Sequence, residues 1–141
     1  MSSPVRPLNP LLPRLAAVVG VALILTTFVI AFRLTPNSNG LGTHQQMGFP
    51  PCSIRVLFGM RCPMCGMTTS WAHAVKGNWV SAIRVNTSGW LLFLYALFAS
   101  WVGLSMLRTG QWPTIRVLRC ATIAVVGIAT TTVLEWTLRI F

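Results

Sequence analysis

Two cysteines three residues apart, in Cys62-Pro63-Met64-Cys65, are the residues of this sequence best suited to do chemistry. On a helix, positions three apart share one face, with Cβ atoms about 5–6 Å apart, near the separation that a disulfide or a shared metal ion needs. A helix N-terminus stabilises a thiolate through its free N–H groups and its dipole, and Arg61 acts in the same direction. The pair therefore predicts redox chemistry or metal binding, the alternative being two small apolar side chains buried in a packed protein.

Further sulfur and imidazole groups precede this pair in the sequence. Cys52 lies ten residues before Cys62, and His44 lies in the turn-rich approach to the motif. Thiolate and imidazole are ligands of zinc and of copper. The predicted ligands of a zinc or a copper ion are therefore Cys52, Cys62, Cys65 and His44. The same three cysteines are also the candidates for redox chemistry, in which Cys52 would be the resolving thiol.

Other side chains near the motif have simpler interpretations. Met60, Met64 and Met67 are soft donors suited to Cu(I), or flexible side chains that fill gaps in packed helices. His73 follows Cys65 by eight residues, about 12 Å along a helix, which is too far to share one tetrahedral ion. It is expected to be an interfacial polar residue.

The composition determines the environment in which this motif must fold. Of the 141 residues, 54% are hydrophobic and 9% are charged, whereas an ordinary soluble domain has about 25% charged residues. Too few polar side chains are present to cover a soluble fold, and disordered chains are poor in apolar residues. The sequence therefore predicts a single membrane domain over residues 1–141.

The net charge of +10 does not indicate a nucleic-acid partner. Nucleic-acid-binding proteins cluster their basic residues on one solvated face, whereas here the arginines stand singly at the edges of apolar runs. Such positions mark the ends of transmembrane helices and attract anionic headgroups, so the lipid bilayer is the expected partner. The arginines concerned are Arg14, Arg33, Arg84, Arg108, Arg116, Arg119 and Arg139.

Long apolar runs predict an all-α fold, a small polytopic membrane protein with three transmembrane helices. Each run is long enough, at 1.5 Å per residue, to cross most or all of a hydrocarbon core of about 30 Å. The predicted helices are 15–32, 88–107 and 117–138. Four prolines in residues 1–14 predict a flexible N-terminal tail. We interpret the first run as an uncleaved anchor, because it is longer than a signal-peptide core and no small-residue cleavage site follows it.

A motif-bearing segment, residues 44–86, separates the first two predicted spans. Pro63 suits the first position of a helix, which would make Cys62 its N-cap and Gly77 its stop. We therefore predict one or two short interfacial helices, at about 63–76 and 79–85. A further membrane pass hidden in this segment would change the topology.

The distribution of basic residues predicts an orientation. The loop from Arg108 to Arg119 and the N-terminal tail are denser in arginine than the long segment between the first two spans. The positive-inside rule then places the N-terminus inside and the motif segment outside the cytoplasmic (inner) membrane of a bacterium.

Two residues of the third span invite separate interpretations. An acid within a span is costly and often handles protons or cations, but Glu135 stands four residues before Arg139, the favourable order for an interfacial ion pair. Cys120 lies near the other end of this span. We expect it to be a small buried residue unconnected to the other cysteines.

The motif resembles that of an uncharacterised bacterial membrane-protein family, a domain of unknown function with a Cys-Pro-x-Cys-Gly-[Leu/Met]-Thr core. The resemblance rests on Cys52, on the run from Cys62 to Thr69, and on Gly77 and Asn86 before an apolar span, and it covers about residues 44–105. It implies a membrane location and no known reaction. The family commonly has arginine after the first threonine, where this chain has Thr69.

The sequence leaves three functions open. One acid, no aspartate and two separated histidines provide no nucleophile–base–acid set, so an enzyme would have to use thiols. We favour a non-catalytic accessory or scaffold protein whose Cys-Pro-x-Cys motif is structural, as a disulfide or metal clip. Such a protein would act with a membrane-protein partner or as a homo-oligomer. The alternatives are a membrane thiol-disulfide oxidoreductase using Cys62 and Cys65, and a carrier or sensor of copper or zinc.

Overall fold

The computed structural model describes residues 9–140, and this part of the chain is all-helical. Three long helices and a set of short helices confirm the predicted fold class. The long helices are α1 (Leu11–Arg33), α5 (Thr87–Thr109) and α6 (Ile115–Ile140). Between α1 and α5 come a short 3-10 helix (Thr43–Met47), α2 (Ser53–Phe58), α3 (Met67–Ala74) and α4 (Trp79–Val85).

The helix α1 begins four residues before the predicted span. The side chain of Asn9 accepts a hydrogen bond of 2.9 Å from the backbone N–H of Leu11, which satisfies one of the free donors of the first turn. Pro13 also fits this first turn, where its missing N–H is not needed. The end of the predicted flexible tail, residues 11–14, is therefore helical, and the tail's first eight residues lie outside the described residues.

All three long helices are long and apolar enough to span a membrane. The helix α5 packs between α1 and α6 and contacts both. In the spanning part of α6, no residue is buried within the protein, so its apolar side chains face outward, as expected for a helix surrounded by lipid. These three helices indicate a multi-pass protein in a lipid bilayer. Cys120, near the start of α6, is exposed rather than buried, because only one side of α6 meets another helix.

Small residues allow α1 and α5 to approach closely. A Cβ atom at Gly103 would lie 2.6 Å from the side chain of Val21, so a larger residue there would force Val21 to shift. Gly20 of α1 makes no contact of this kind, since a Cβ there would meet nothing within 4 Å.

Aromatic packing attaches the short helices to the ends of the spans. Trp71 of α3 stacks on Phe28 of α1 at 5.6 Å, and both rings contact the Phe93 ring of α5 at 5.5–5.9 Å. The Lys76 ammonium donates a 2.6 Å hydrogen bond to the carbonyl of Leu34 at the end of α1, where positive charge complements the helix dipole. The motif segment is thus folded onto the membrane helices, and within residues 9–140 none of its short helices is long enough to add a membrane pass.

Candidate metal centre

The Cys-Pro-x-Cys motif forms a turn, which corrects the prediction of a helix from residue 63. We call residues 62–66 the cysteine turn. The N–H of Cys65 donates to the carbonyl of Cys62 at 3.0 Å, and the N–H of Met67 donates to that of Met64 at 3.1 Å. Gly66 then adopts a φ of +90°, so α3 begins only at Met67. Proline fits a turn as well as a helix start, and the sequence signal was therefore ambiguous.

A helix that sequence reasoning missed brings the third cysteine to this turn. Residues 53–58 form α2, which ends at Gly59 with a left-handed φ of +68°. The chain reverses there, so Cys52 lies beside the cysteine turn. Phe58-Gly59 was the available signal, since glycine just after an apolar residue is a common helix stop.

Three thiols meet as a result. The sulfur atoms of Cys52, Cys62 and Cys65 all lie within 4.8 Å of one another. The Sγ atoms of Cys62 and Cys65 are 3.1 Å apart. Each of the three cysteine residues is half-buried.

The thiols line a cavity of about 360 Å³, which we call the thiol cavity. His44 lines the same cavity but is not part of the group within 4.8 Å, so a fourth bond from its imidazole would require a movement. The full set of lining residues is Leu41, Gly42, His44, Gln45, Pro51, Cys52, Arg55, Cys62, Met64, Cys65, Gly66, Met67, Thr68 and Thr69.

Asn86 joins the cysteine turn to the start of α5. Its side-chain oxygen accepts a 2.6 Å hydrogen bond from the N–H of Gly89, which caps α5, and its side-chain nitrogen donates to the Cys65 carbonyl at 3.2 Å. The residue is 1% exposed. One buried amide thus orients the carbonyl of a candidate ligand and satisfies a helix terminus.

The last turn of α6 contacts the same region. Glu135 and Arg139 form the predicted ion pair. The carboxylate also accepts hydrogen bonds from both the backbone and the hydroxyl groups of Thr87 and Ser88, at 3.2–3.4 Å. It therefore sits at the positive N-terminal end of α5, a role that the sequence did not reveal because these partners lie more than forty residues away.

Two more hydrogen bonds connect α6 to the backbone near the cysteines. The indole N–H of Trp136 donates to the carbonyl of Arg61 at 2.8 Å, next to Cys62. The Arg139 guanidinium donates to the carbonyl of Val85 at 3.0 Å. The end of α6 thus supports both sides of the cysteine turn.

Buried hydroxyls connect α3 to its surroundings. The hydroxyl groups of Thr69 and Thr43 form a buried hydrogen bond of 2.8 Å. The Ser70 hydroxyl donates to the carbonyl of Ala82 at 2.9 Å. Thr69, at the position where the resemblance predicts arginine, therefore holds the His44-bearing 3-10 helix against α3.

The local environment shifts the pKa values of Cys62 and Cys52 in opposite directions. Burial raises the pKa of the Cys62 thiol to about 12, and its hydrogen bonds with Cys65 and Cys52 act in the same direction. A hydrogen bond from the Arg55 backbone, followed by one from the Cys62 side chain, lowers the pKa of Cys52. The expectation of a lowered pKa at Cys62 is therefore wrong, because burial dominates there and the cysteine turn does not place Cys62 at a helix N-terminus.

His73 lies apart from the thiol cavity. It is in α3, and burial followed by the charge of Lys76 lowers its pKa. Its Nδ1 atom is buried with no hydrogen-bond partner in the described part of the chain.

Comparison with known proteins finds one family over this region. Residues 52–100 match the family model described as "Protein of unknown function (DUF2752)". The match begins at the first thiol, includes the cysteine turn and the short helices α2, α3 and α4, and ends within α5. The resemblance to an uncharacterised family is therefore confirmed over these residues. No curated protein and no solved structure matches the chain.

Proposed function

We propose that this chain is a non-catalytic membrane protein in which Cys52, Cys62 and Cys65 hold a thiophilic metal ion. The ion would act as a clip between the start of α2 and the cysteine turn. One observation carries the proposal, the approach of three sulfur atoms to within 4.8 Å of one another. As an accessory protein it would act with a membrane-protein partner or with a second copy of itself.

The distances suit an ion after small side-chain movements. With metal–sulfur bonds of about 2.3 Å, two thiolates of a tetrahedral site lie about 3.8 Å apart. The 3.1 Å separation of Cys62 and Cys65 would therefore widen by about 0.7 Å, within reach of a side-chain rotation. Coordination deprotonates a thiol, so a cation would overcome the raised pKa of Cys62. His44, on the wall of the same cavity, is the proposed fourth ligand for a zinc ion.

The surroundings of the cavity support a non-catalytic role. Glu135 is the one carboxylate side chain of the sequence, and its oxygens bind Arg139 and the start of α5. It therefore does not serve as a general base at the thiols. Acyl or hydrolytic chemistry requires a base next to the nucleophile, and His44 on the cavity wall lies outside the group of three sulfur atoms.

Thiol-disulfide exchange is the second candidate, supported by the 3.1 Å separation of Cys62 and Cys65. Such a cycle needs an external disulfide or other oxidant to accept two electrons. Cys62 and Cys65 would form the disulfide, and Cys52, whose pKa is lowered, would be the resolving thiol that attacks it.

Elemental analysis of the protein purified in mild detergent under reducing conditions tests the proposal. We expect about one zinc or copper ion per chain, and severalfold less in Cys52→Ser, Cys62→Ser and Cys65→Ser. Cys120→Ser is the matched control, because that thiol lies near the opposite end of α6. It should retain the ion. Metal-free wild-type protein, or equal metal in all four variants, would contradict the proposal. A Cys62–Cys65 disulfide that forms and reduces with the redox buffer would favour exchange instead.

We also propose that the motif segment faces the outside of a bacterial inner membrane. The loop between α5 and α6 lies at the other end of these helices, and by the positive-inside rule the arginines in and beside it favour a cytoplasmic position for this loop. These arginines are Arg108, Arg116 and Arg119. In cells with intact inner membranes, an impermeant thiol reagent should label the motif cysteines after metal removal and reduction, and it should spare Cys120. The reverse labelling pattern would show the opposite orientation.

A further inference from the structure

Sulfur-containing side chains other than cysteine stand on the wall of the thiol cavity. Met64 lies within the cysteine turn, and Met67 begins α3. From these positions we propose that the ion is copper(I), bound by the three thiolates and assisted by a methionine thioether. This inference rests on the proposed metal site and specifies its ligand.

The number and type of converging donors favour copper(I) over zinc. A structural zinc ion requires four ligands in a closed tetrahedron, whereas three ligand atoms converge here and His44 stands outside their group. Within residues 9–140, no carboxylate lines the cavity. Copper(I) prefers soft sulfur donors and accepts thioethers, which are poor ligands for zinc.

Met64 and Met67 line the thiol cavity, whereas the nearby Met60 does not. Met64 is 63% exposed although it carries a large apolar side chain, and it borders the space in front of the thiols. Met60 is 41% exposed and precedes Cys62 by two residues, but it is not among the residues that line the cavity. Met60 thus provides an internal comparison of the same residue type in the same segment.

The charges around the cavity complement the expected complex. Three thiols lose three protons to solvent when they bind copper(I), and the metal keeps its oxidation state, so no electron acceptor is needed. The resulting copper trithiolate carries two negative charges. Arg55 lines the cavity, so one positive side chain stands where this charge develops.

Competition titrations in detergent test the inference. Copper(I) is supplied without oxygen as its complex with a coloured chelator, and zinc is titrated in parallel against a coloured zinc chelator. We expect one copper(I) ion per chain that excess zinc does not displace. We expect Met64→Leu and Met67→Leu to weaken copper(I) binding by about tenfold, with zinc binding unchanged. Met60→Leu should match the wild type.

The outcomes separate the two proposals. If Cys62→Ser binds both metals as the wild type does, the thiol site itself is refuted. If cysteine-dependent binding favours zinc, or if folded Met64→Leu binds copper(I) as tightly as Met60→Leu, the copper inference is overturned and the metal site stands. Met64 is exposed, so its substitution tests the thioether even if Met67→Leu does not fold.

Discussion

Replacing Glu135 with glutamine is expected to lower the free energy of unfolding in detergent by about 2 kcal/mol. The substitution removes the charge that pairs with Arg139 and weakens four hydrogen bonds from Thr87 and Ser88 at the start of α5. Glu135 is 19% exposed, so water compensates only partly for the lost partner. Thermal or denaturant unfolding of the purified variant measures the effect.

A double-mutant cycle separates the ion pair from the cap of α5. Arg139→Gln removes the same ion pair but leaves the carboxylate to accept hydrogen bonds from α5, so it should cost less than Glu135→Gln. The double variant should be more stable than the sum of the two single effects implies, by about 1 kcal/mol. Additive effects would show that the ion pair contributes little, whereas a larger loss from Arg139→Gln than from Glu135→Gln would show that the contacts of Glu135 with α5 contribute little.

Gly66→Ala is expected to have the largest effect of any single methyl group added near the site, about 3 kcal/mol or more in unfolding free energy. Gly66 has a φ of +90°, which L residues rarely adopt. A Cβ there would also lie 3.0 Å from the Val85 side chain and 3.2 Å from the carbonyl of Gly40. Relief of these contacts would displace the cysteine turn, so metal content should fall together with stability.

Gly48→Ala provides the matched control for this substitution. Gly48 has a similar φ of +83°, but a Cβ there would meet nothing within 4 Å. Gly48→Ala should therefore lower the free energy of unfolding by about 1 kcal/mol, the effect of backbone conformation alone, and leave the metal content unchanged. Equal losses for the two variants would mean that the close packing around Gly66 is not what holds the turn.

The membrane fold could be predicted from the sequence because its signal is local. Long apolar runs without charges predict spanning helices whatever their neighbours are, and α1, α5 and α6 lie where these runs lie. The ends of the helices were less predictable, since they depend on single caps such as Asn9 and Asn86.

The candidate site was predictable in its residue types and less so in its geometry. The spacing of Cys62 and Cys65 drew attention to the motif, but Pro63 suits a turn and a helix start equally, and only the left-handed Gly66 decides between them. The convergence of Cys52 depended on α2, which was not predicted. Contacts such as the hydrogen bond from Trp136 to Arg61 join residues that are distant in sequence, so no local sequence pattern predicts them.

The attachment of α6 to the cysteine turn has a mechanical consequence. With 26 residues, α6 is about 39 Å long, and Trp136 lies close to the end that contacts the turn. If α6 changes its tilt by about 5° while its first turn stays in place, its far end moves by about 3 Å, the length of a hydrogen bond. A tilt of this size would be enough to break the hydrogen bond from Trp136 to the backbone beside Cys62, so the geometry of the thiol site is coupled to the tilt of α6 in the membrane.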